Sequence, residues 1–275
     1  MSNLYTIVTG AGGSIGAAIT RALAREGRNV IMACRNLQKD TPLCQEIDAE
    51  SRGHVRIMPL DLASYDSIAL FAQAIHDKGI EIEALINNAG VILKQYCTTP
   101  HAIEMTLGVN FVGTYMLTKL LTPAIIKGGH ITFTTSLTRY IGKIGPDFFQ
   151  LTADNYGRFK AYSRSKLAIA VLTAHLAHEL APQGIHVNAA DPGVVDTGMI
   201  HMDAWFDPLA DRFFRPIISS PEQGAVSALS ASTSNVTGEI FDKTRHHAIP
   251  AQWRNHPRRQ WLIEEAECLI ADWIK

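Results

Sequence analysis

Short apolar runs rich in β-branched residues alternate along the chain with segments of helical periodicity. Runs that are apolar throughout, each followed by a helix, are typical of a parallel sheet covered on both faces. Because crossovers between parallel strands are right-handed, the alternation predicts an α/β fold. We expect one domain, residues 1–275, built on a doubly wound parallel sheet. Strands are predicted at residues 5–8, 29–34, 55–59, 84–86, 131–134, 186–189 and 238–241.

Composition narrows the class of protein. Of 275 residues, 47% are hydrophobic and 19% charged, and the net charge is −1, which excludes a disordered chain and a basic nucleic-acid-binding face. No apolar stretch approaches the ~18 residues of a membrane span, and the chain begins at its first strand, so we expect no membrane anchor. The four cysteines form no C-x-x-C motif and the histidines lack a third ligand at suitable spacing, which favours a cytoplasmic protein without a metal site.

The first predicted strand leads into a glycine-rich turn, TGAGGSIG at residues 9–16, and then into a helix at about 14–26. A sharp turn that lets backbone approach a pyrophosphate, followed by the positive end of a helix, is the context of a Rossmann-type dinucleotide site. The spacing departs from G-x-G-x-x-G, because Ile15 stands where the third glycine is expected. An ordinary strand–helix turn is the alternative. The predicted cofactor contacts here are Gly10, Gly12, Ser14, Ile15 and Gly16.

The end of the second predicted strand bears on which dinucleotide is bound. In NAD-binding folds an acidic residue there holds the ribose 2′-hydroxyl, but this strand ends in Arg35 and Asn36. A guanidinium pairs well with a 2′-phosphate. We therefore expect contacts from Arg35 and Asn36 and a preference for NADP(H) over NAD(H). The alternative is that Arg35 is a solvated surface cation.

Tyr162 and Lys166 are four residues apart in a helical stretch, so they share one helix face. A phenol with an ordinary pKa near ~10 is a poor acid–base group at neutral pH. A neighbouring ammonium lowers the pKa of the phenol and desolvation opposes that effect. We expect the pair to bring Tyr162 toward its working pH. A surface tyrosine and lysine on an amphipathic helix are the alternative.

Several weak motifs occur together in a recognisable order, and their combination is specific. On them the chain resembles the short-chain dehydrogenase/reductase family over nearly its whole length. Within that family it is most similar to the retinol-dehydrogenase-like branch, through residues 33–36, 109–113 and 161–168 and the long interval between Ser136 and Tyr162. The motifs are Thr9-Gly10-x-x-x-Ser14-x-Gly16, Asp61-Leu62, Asn87-Asn88-Ala89-Gly90, Asn110, Ser136, Tyr162-x-x-x-Lys166 and Pro192-Gly193.

The resemblance implies roles for individual residues. Tyr162 would be the general acid for carbonyl reduction, and Ser136 would hydrogen-bond the substrate oxygen. Lys166 would bind the nicotinamide ribose and lower the pKa of Tyr162, while Asn110 would hold a water that connects Lys166 to solvent. Further cofactor contacts would come from Asp61, Leu62, Asn88, Ala89, Gly90, Pro192, Val195 and Thr197.

Two later segments have several interpretations. Residues 198–219 contain Trp205, Phe206, Phe213 and Phe214, which favours a loop that closes over an apolar substrate; a surface helix that packs its aromatics is the alternative. Residues 258–274 predict an amphipathic helix. We put a core-covering role for it ahead of a substrate lid or a dimer contact. By resemblance, a homodimer or homotetramer would pair through the helices bearing Asn110 and Tyr162.

These observations predict an NADP(H)-dependent oxidoreductase acting on a small-molecule carbonyl or alcohol, lipophilic or aromatic. Two alternatives stay open. A 3-oxoacyl-thioester reductase would need basic residues at the pocket rim, for which Arg212 and Arg215 are candidates. A non-catalytic dinucleotide-binding regulator would be free to lose Tyr162 or Lys166, and both are present.

Overall fold

A single eight-stranded sheet organises the molecule, and the computed structural model describes residues 3–193 and 219–274. The strand order is β3-β2-β1-β4-β5-β6-β7-β8. All neighbouring pairs are parallel except β7 with β8. The strands are β1 (Leu4–Thr9), β2 (Val30–Cys34), β3 (Val55–Pro59), β4 (Glu81–Asn87), β5 (Ile125–Thr134), β6 (His186–Asp191), β7 (Glu239–Asp242) and β8 (Arg245–Ala248).

Helices cover both faces of the sheet. The described α-helices are α1 (Ser14–Arg25), α2 (Leu37–Glu50), α3 (Tyr65–Asp77), α4 (Met105–Leu107), α5 (Thr114–Leu121), α6 (Arg158–Leu180), α7 (Pro221–Ala231), α8 (Ala251–Arg254) and α9 (Arg259–Ile270). A π-helical segment, Gly108–Gly113, joins α4 to α5. The predicted doubly wound α/β fold is confirmed.

Alternation along the central strands divides the core between the two faces. Ile7 and Leu85 belong to one buried apolar cluster, while their chain neighbours Val8 and Ile86 belong to another. Successive side chains of a strand point to opposite faces, so a strand buried on both sides must be apolar at every position. All five residues of β2 are buried for this reason.

The order of the strands places a crevice. The chain builds β1, β2 and β3 toward one edge and then returns to add β4 on the other side of β1. At such a reversal the two flanking crossovers leave to opposite faces, and ligands of open α/β sheets bind there, outside the carboxyl ends of the strands. The glycine-rich turn after β1 and the Asn87–Gly90 segment after β4 therefore meet at this point.

One strand lies outside the predicted pattern, and the C-terminal helix lies within it. The antiparallel edge strand β8 escaped prediction because its sequence, Arg-His-His-Ala, is polar and all four residues are exposed; an edge strand needs no apolar face and is protected by charge. Helix α9 falls inside the predicted 258–274 segment and buries Leu262, Ile263, Ala266 and Ile270. It packs against α6, which is the core-covering arrangement.

None of the helices among the described residues has the length and apolar character that a membrane span requires.

Candidate active site

An open cleft of about 290 Å³ lies at the carboxyl ends of β1 and β4. Most of the predicted cofactor contacts form its wall, so the fold brings together segments that are far apart in sequence. The predicted residues that line it are Gly10, Ser14, Ile15, Gly16, Arg35, Asp61, Leu62, Asn88, Ala89 and Gly90.

Two glycines make the turn after β1 tight. Gly10 has φ +62°, and a Cβ added there would lie 2.9 Å from the Cα of Ala89. A Cβ on Gly16 would lie 2.3 Å from the carbonyl oxygen of Gly10. Neither position can carry a side chain without moving backbone, because such contacts are far below van der Waals distance. The turn therefore draws the start of α1 against the segment that follows β4.

The start of α1 faces the cleft, and no side chain among the described residues caps it. Gly13 is the N-cap residue, and Gly13, Ser14 and Ile15 line the cleft. The first N–H groups of a helix have no partner within the helix, and together with the helix dipole they attract phosphate. A Cβ on Gly13 would meet only the Gly10 carbonyl, at 3.3 Å, so this side of the turn is open. The glycine cradle and the free helix end fit the pyrophosphate of a dinucleotide.

The structure places two predicted contacts elsewhere. Gly12 packs under the turn against α2, where a Cβ would lie 2.3 Å from the carboxyl of the buried Asp40. Asn36 caps α2, its side chain accepting a hydrogen bond from the Lys39 N–H at 3.0 Å. Neither lines the cleft, unlike Arg35, which is exposed beside it. The glycine spacing and the strand end suggested contacts there, but burial against α2 and helix capping account for these two residues.

The four predicted catalytic residues converge at the carboxyl ends of β4 and β5. The Ser136 side chain lies near enough to the Tyr162 hydroxyl to lower the pKa of Tyr162. The Lys166 Nζ lies 5.5 Å from the centre of the Tyr162 ring and donates to the Thr134 carbonyl at 2.8 Å. Since Ser136 follows β5 directly and Tyr162 belongs to α6, the sheet and the helix that covers it together set this geometry.

Asn110 lies inside the π-helical segment and is locked by its neighbours. Its Oδ1 accepts from the Val91 N–H at 2.7 Å, and its Nδ2 donates to the Val91 carbonyl at 2.9 Å and to the Ser165 Oγ at 3.1 Å. π-Helical turns within α-helices are frequent at functional sites. Asn110 thereby ties the segment after β4 to α6, beside Lys166.

Gly90 connects the cleft to the catalytic residues. A Cβ added there would lie 3.4 Å from the Asn110 Oδ1 and 3.5 Å from the Lys166 Nζ. Gly90 itself lines the cleft. A ligand that follows the cleft wall past Gly90 therefore comes within reach of the Lys166 ammonium.

Burial dominates the proton affinities at the site. It raises the pKa of Tyr162 to about 12, with Asp191 adding to the effect and the Ser136 hydrogen bond opposing it. It lowers the pKa of Lys166 to about 8, and Asp191 opposes that shift. The expectation that Lys166 brings the Tyr162 pKa below its ordinary value is thus wrong for the protein by itself. Desolvation of the phenolate is the largest effect on this pKa.

One buried ion pair beside the site was missed from the sequence. Arg139 donates to the Asp191 carboxylate, and the two residues are 2% and 4% exposed. Asp191 comes directly before Pro192 and Gly193, where φ is +71°. In the sequence, the only indication of this pair was that each of its residues lies close to a predicted motif.

Val195, Thr197, Arg212, Arg215 and the aromatic residues of 198–219 lie outside the described residues.

Comparison with known proteins agrees with this geometry. A family model for short chain dehydrogenases matches residues 5–204. The chain is 35% identical over 269 residues to retinol dehydrogenase 13 from Homo sapiens, a match covering 93% of this chain and 81% of that protein. It is 36% identical over 245 residues to polyprenol dehydrogenase from Mus musculus, covering 83% and 71%. A crystal structure of an uncharacterized protein from Mycobacterium paratuberculosis superposes with a TM-score of 0.79 at 26% identity, covering 98% and 94%.

Proposed function

The chain belongs to the short-chain dehydrogenase family, in its retinol-dehydrogenase-like branch, and on that premise we propose that it reduces a lipophilic carbonyl compound with NADPH, using Tyr162 as the acid. It is a nucleotide-binding oxidoreductase acting on alcohol or carbonyl groups. The cofactor preference, the substrate class and the role of each residue are the proposal.

The observation that carries the proposal is the grouping of Tyr162, Ser136 and Lys166: the Lys166 Nζ lies 5.5 Å from the Tyr162 ring centre and 3.5 Å from a Cβ built on Gly90, which lines the cleft. When bound, the nicotinamide supplies the hydride or accepts it. The Tyr162 hydroxyl gives its proton to the substrate oxygen, and the Ser136 hydroxyl donates a hydrogen bond to the same oxygen as negative charge develops on it. The buried Lys166 ammonium stabilises the resulting phenolate by its charge.

Arg35 supports the preference for NADPH. It is exposed where β2 ends and it lines the cleft, and neither of the two residues that follow the strand, Arg35 and Asn36, is acidic. A carboxylate there would repel a 2′-phosphate, whereas a guanidinium donates charge-assisted hydrogen bonds to it. Asp61 also lines the cleft, and its Oδ1 accepts a hydrogen bond from the Ala63 N–H at 2.9 Å.

Exposed apolar side chains around the catalytic residues support a lipophilic substrate. Leu137, Tyr140 and Ile141 follow Ser136 directly and are 56%, 55% and 69% exposed. Phe159, three residues before Tyr162, is 48% exposed. Apolar side chains that remain accessible beside catalytic groups favour an apolar ligand. The names of the retinol and polyprenol dehydrogenases point the same way.

The proposal also covers the location of the protein in the cell and the surface through which it could self-associate. Cys34, Cys44, Cys97 and Cys268 are free thiols, which supports a cytoplasmic location. Helix α9 packs on α6, and Glu267 of α9 accepts a hydrogen bond from Tyr115 of α5 at 2.8 Å. Because the chain's own helix covers these surfaces, we propose that a homodimer or homotetramer would not pair directly through α5 and α6.

The test begins with fluorescence titrations of the purified chain with NADPH and with NADH. We expect tighter binding of NADPH, and about tenfold weaker NADPH binding by Arg35→Ala with NADH unchanged, since an exposed charge-assisted contact contributes about 1.5 kcal/mol. NADPH oxidation is then followed with aldehydes and ketones of increasing apolar length. Tyr162→Phe should lose turnover by several orders of magnitude and keep its NADPH affinity. Tyr5→Phe, at the opposite end of β1, is the matched control, and turnover by Tyr162→Phe near the wild-type rate would refute the proposal.

A further inference from the structure

We propose that the buried Arg139–Asp191 pair is a positioning device that joins the segment carrying Ser136 to the turn ending at Gly193 and balances charge behind Tyr162. This inference rests on the proposed function, because it assigns the pair a part in the reaction of Tyr162. Neither residue is argued to touch substrate or cofactor.

Arg139 is tied to Ser136 by backbone and by packing. It lies three residues after Ser136, in the short 3₁₀ helix Leu137–Ile141, and its N–H donates to the Ser136 carbonyl at 3.0 Å. Its guanidinium lies 4.9 Å from the centre of the Tyr140 ring and 5.5 Å from that of Trp253. The side chain is therefore fixed, and a displacement of Arg139 would displace the Ser136 hydroxyl that acts on Tyr162.

Asp191 uses both carboxylate oxygens to hold two different segments. Its Oδ1 accepts from the Gly193 N–H at 3.0 Å, which closes the turn Asp191-Pro192-Gly193, and its Oδ2 accepts from Arg139. Its own carbonyl accepts from the Ser227 Oγ at 2.7 Å. One carboxylate thus cross-links the segments that leave the carboxyl ends of β5 and β6.

Stability alone is a poor explanation for charges at this position. Burying an ion pair removes two charges from water, and apolar residues of similar size are often as stable. The Nε of Arg139 is also buried without a hydrogen-bond partner among the described residues. A buried charged pair at this position can instead serve the reaction, if its charges change the proton affinity of a neighbouring side chain.

The neighbours on which it acts are Tyr162 and Lys166. Lys166 lies beside the Tyr162 ring on the same helix, and the groups that act on the Tyr162 hydroxyl from other elements are Asp191 of β6 and the neutral Ser136 after β5. The negative charge of Asp191 raises the pKa of both Tyr162 and Lys166. Arg139, paired to that carboxylate, offsets part of its field.

The experiment is the pH profile of kcat/KM for NADPH-dependent reduction in wild type, Asp191→Asn, Arg139→Gln and the double variant. The amide oxygen in Asp191→Asn can still accept from the Gly193 N–H, but the neutral amide leaves the positive charge of Arg139 without its counter-charge. The basic limb that reports loss of the Lys166 proton, whose pKa is about 8, should therefore move to lower pH, by about one unit for a single nearby charge. Arg139→Gln leaves the negative charge of Asp191 without its counter-charge and should move the basic limb to higher pH. The basic limb of the double variant should lie between those of the two single variants. Asp147→Asn, which removes the partner of buried Arg164 on α6, is the control and should not move the limb.

Each outcome decides between a positioning pair and a structural one. Coincident profiles in all variants, with activity changed only through folded fraction, would overturn the inference while leaving the proposed function intact. If Asp191→Asn does not fold, Arg139→Lys takes its place: it should lose at least tenfold in kcat with NADPH affinity unchanged, and wild-type kcat would overturn the inference. If the wild type reduces no carbonyl, the proposed function fails. In that case the titration of Tyr162 is followed by ¹³C-tyrosine NMR, with its ring carbon signal assigned from the signal lost in Tyr162→Phe. The inference predicts that the variants shift the Tyr162 pKa in the same order as above, and identical titrations in all variants would overturn it.

Discussion

Replacing Gly16 by alanine should loosen the turn on which the dinucleotide site depends. The added methyl group would lie 2.3 Å from the Gly10 carbonyl oxygen, 2.8 Å from the Ala11 Cα and 2.9 Å from the Asn88 Nδ2. Two of these three atoms belong to backbone, so the start of α1 must move away from the residues after β1. Gly13, in the same turn, offers the matched control, because its methyl group would meet only the Gly10 carbonyl at 3.3 Å.

The magnitude follows from opposing effects. Forcing a methyl group into a packed site costs about 1–3 kcal/mol, and contacts this short with backbone place Gly16→Ala at the upper end. Alanine in a helix recovers about 1 kcal/mol relative to glycine. The net loss of about 2 kcal/mol in the free energy of unfolding corresponds to a fall in Tm of roughly 4–8 °C for a chain of this size. At Gly13, losing a favoured N-cap residue and restricting the unfolded chain each amount to less than about 1 kcal/mol and oppose one another.

Thermal unfolding and NADPH titration of the two variants measure the effect. We expect Gly16→Ala to lower Tm and to weaken NADPH binding by at least an order of magnitude, since about 1.4 kcal/mol is tenfold in affinity. Gly13→Ala should unfold within about a degree or two of wild type. Equal behaviour of the two variants, or wild-type binding by Gly16→Ala, would show that close backbone approach at Gly16 is not what forms the site.

Two further predictions concern stability. Leu262→Ala in α9 should cost about 2–5 kcal/mol because its side chain is fully buried, whereas Leu269→Ala on the partly exposed side of the same helix should cost less than about 0.5 kcal/mol; equal losses in chemical denaturation would contradict the packing of α9. Burial, together with the charges of His186 and Arg28, lowers the pKa of His130 from 6.5 to about 4. Between these two pH values His130 is therefore protonated in the unfolded chain and neutral in the folded protein. Stability contributed by neutral His130 is therefore complete above pH 6.5 and declines as pH falls toward about 4. Wild type should lose more stability than His130→Asn between pH 7.5 and 5, and parallel losses would refute this.

The parts of the site that could be predicted are those encoded by neighbouring residues. The glycine turn after a buried strand and the Tyr162–Lys166 spacing on a helix are local patterns, and the structure brings both to one crevice. The parts that could not be predicted depend on a second segment. Gly12 resembles its neighbours in sequence, and only the position of Asp40 on α2 shows that it packs under the turn rather than facing the cleft.

The direction of the Tyr162 pKa is another case in which pattern reasoning was incomplete. An i, i+4 lysine predicts a downward effect, and the lysine is present at the expected place. How strongly the phenol is desolvated depends on everything packed around α6, and that burial prevails, with the negative charge of Asp191 from β6 raising the pKa further. A pairwise estimate along one helix contains no information about this environment.

By itself, the sequence determined the fold class, the place of the cleft and the shared helix face of Tyr162 and Lys166, whereas Ser136 and Asn110 were expected from the family resemblance. It could do so because hydrophobic periodicity, turn chemistry and helical spacing act over a few residues and repeat in every strand–helix unit. Only the tertiary structure decided that Arg139 meets Asp191, 52 residues away, that α9 covers α6, and that Gly90 opens the cleft toward Lys166. Those contacts arise from strand order and from the packing of helices onto the sheet, which bring distant side chains within a few ångströms without leaving any local pattern in the chain.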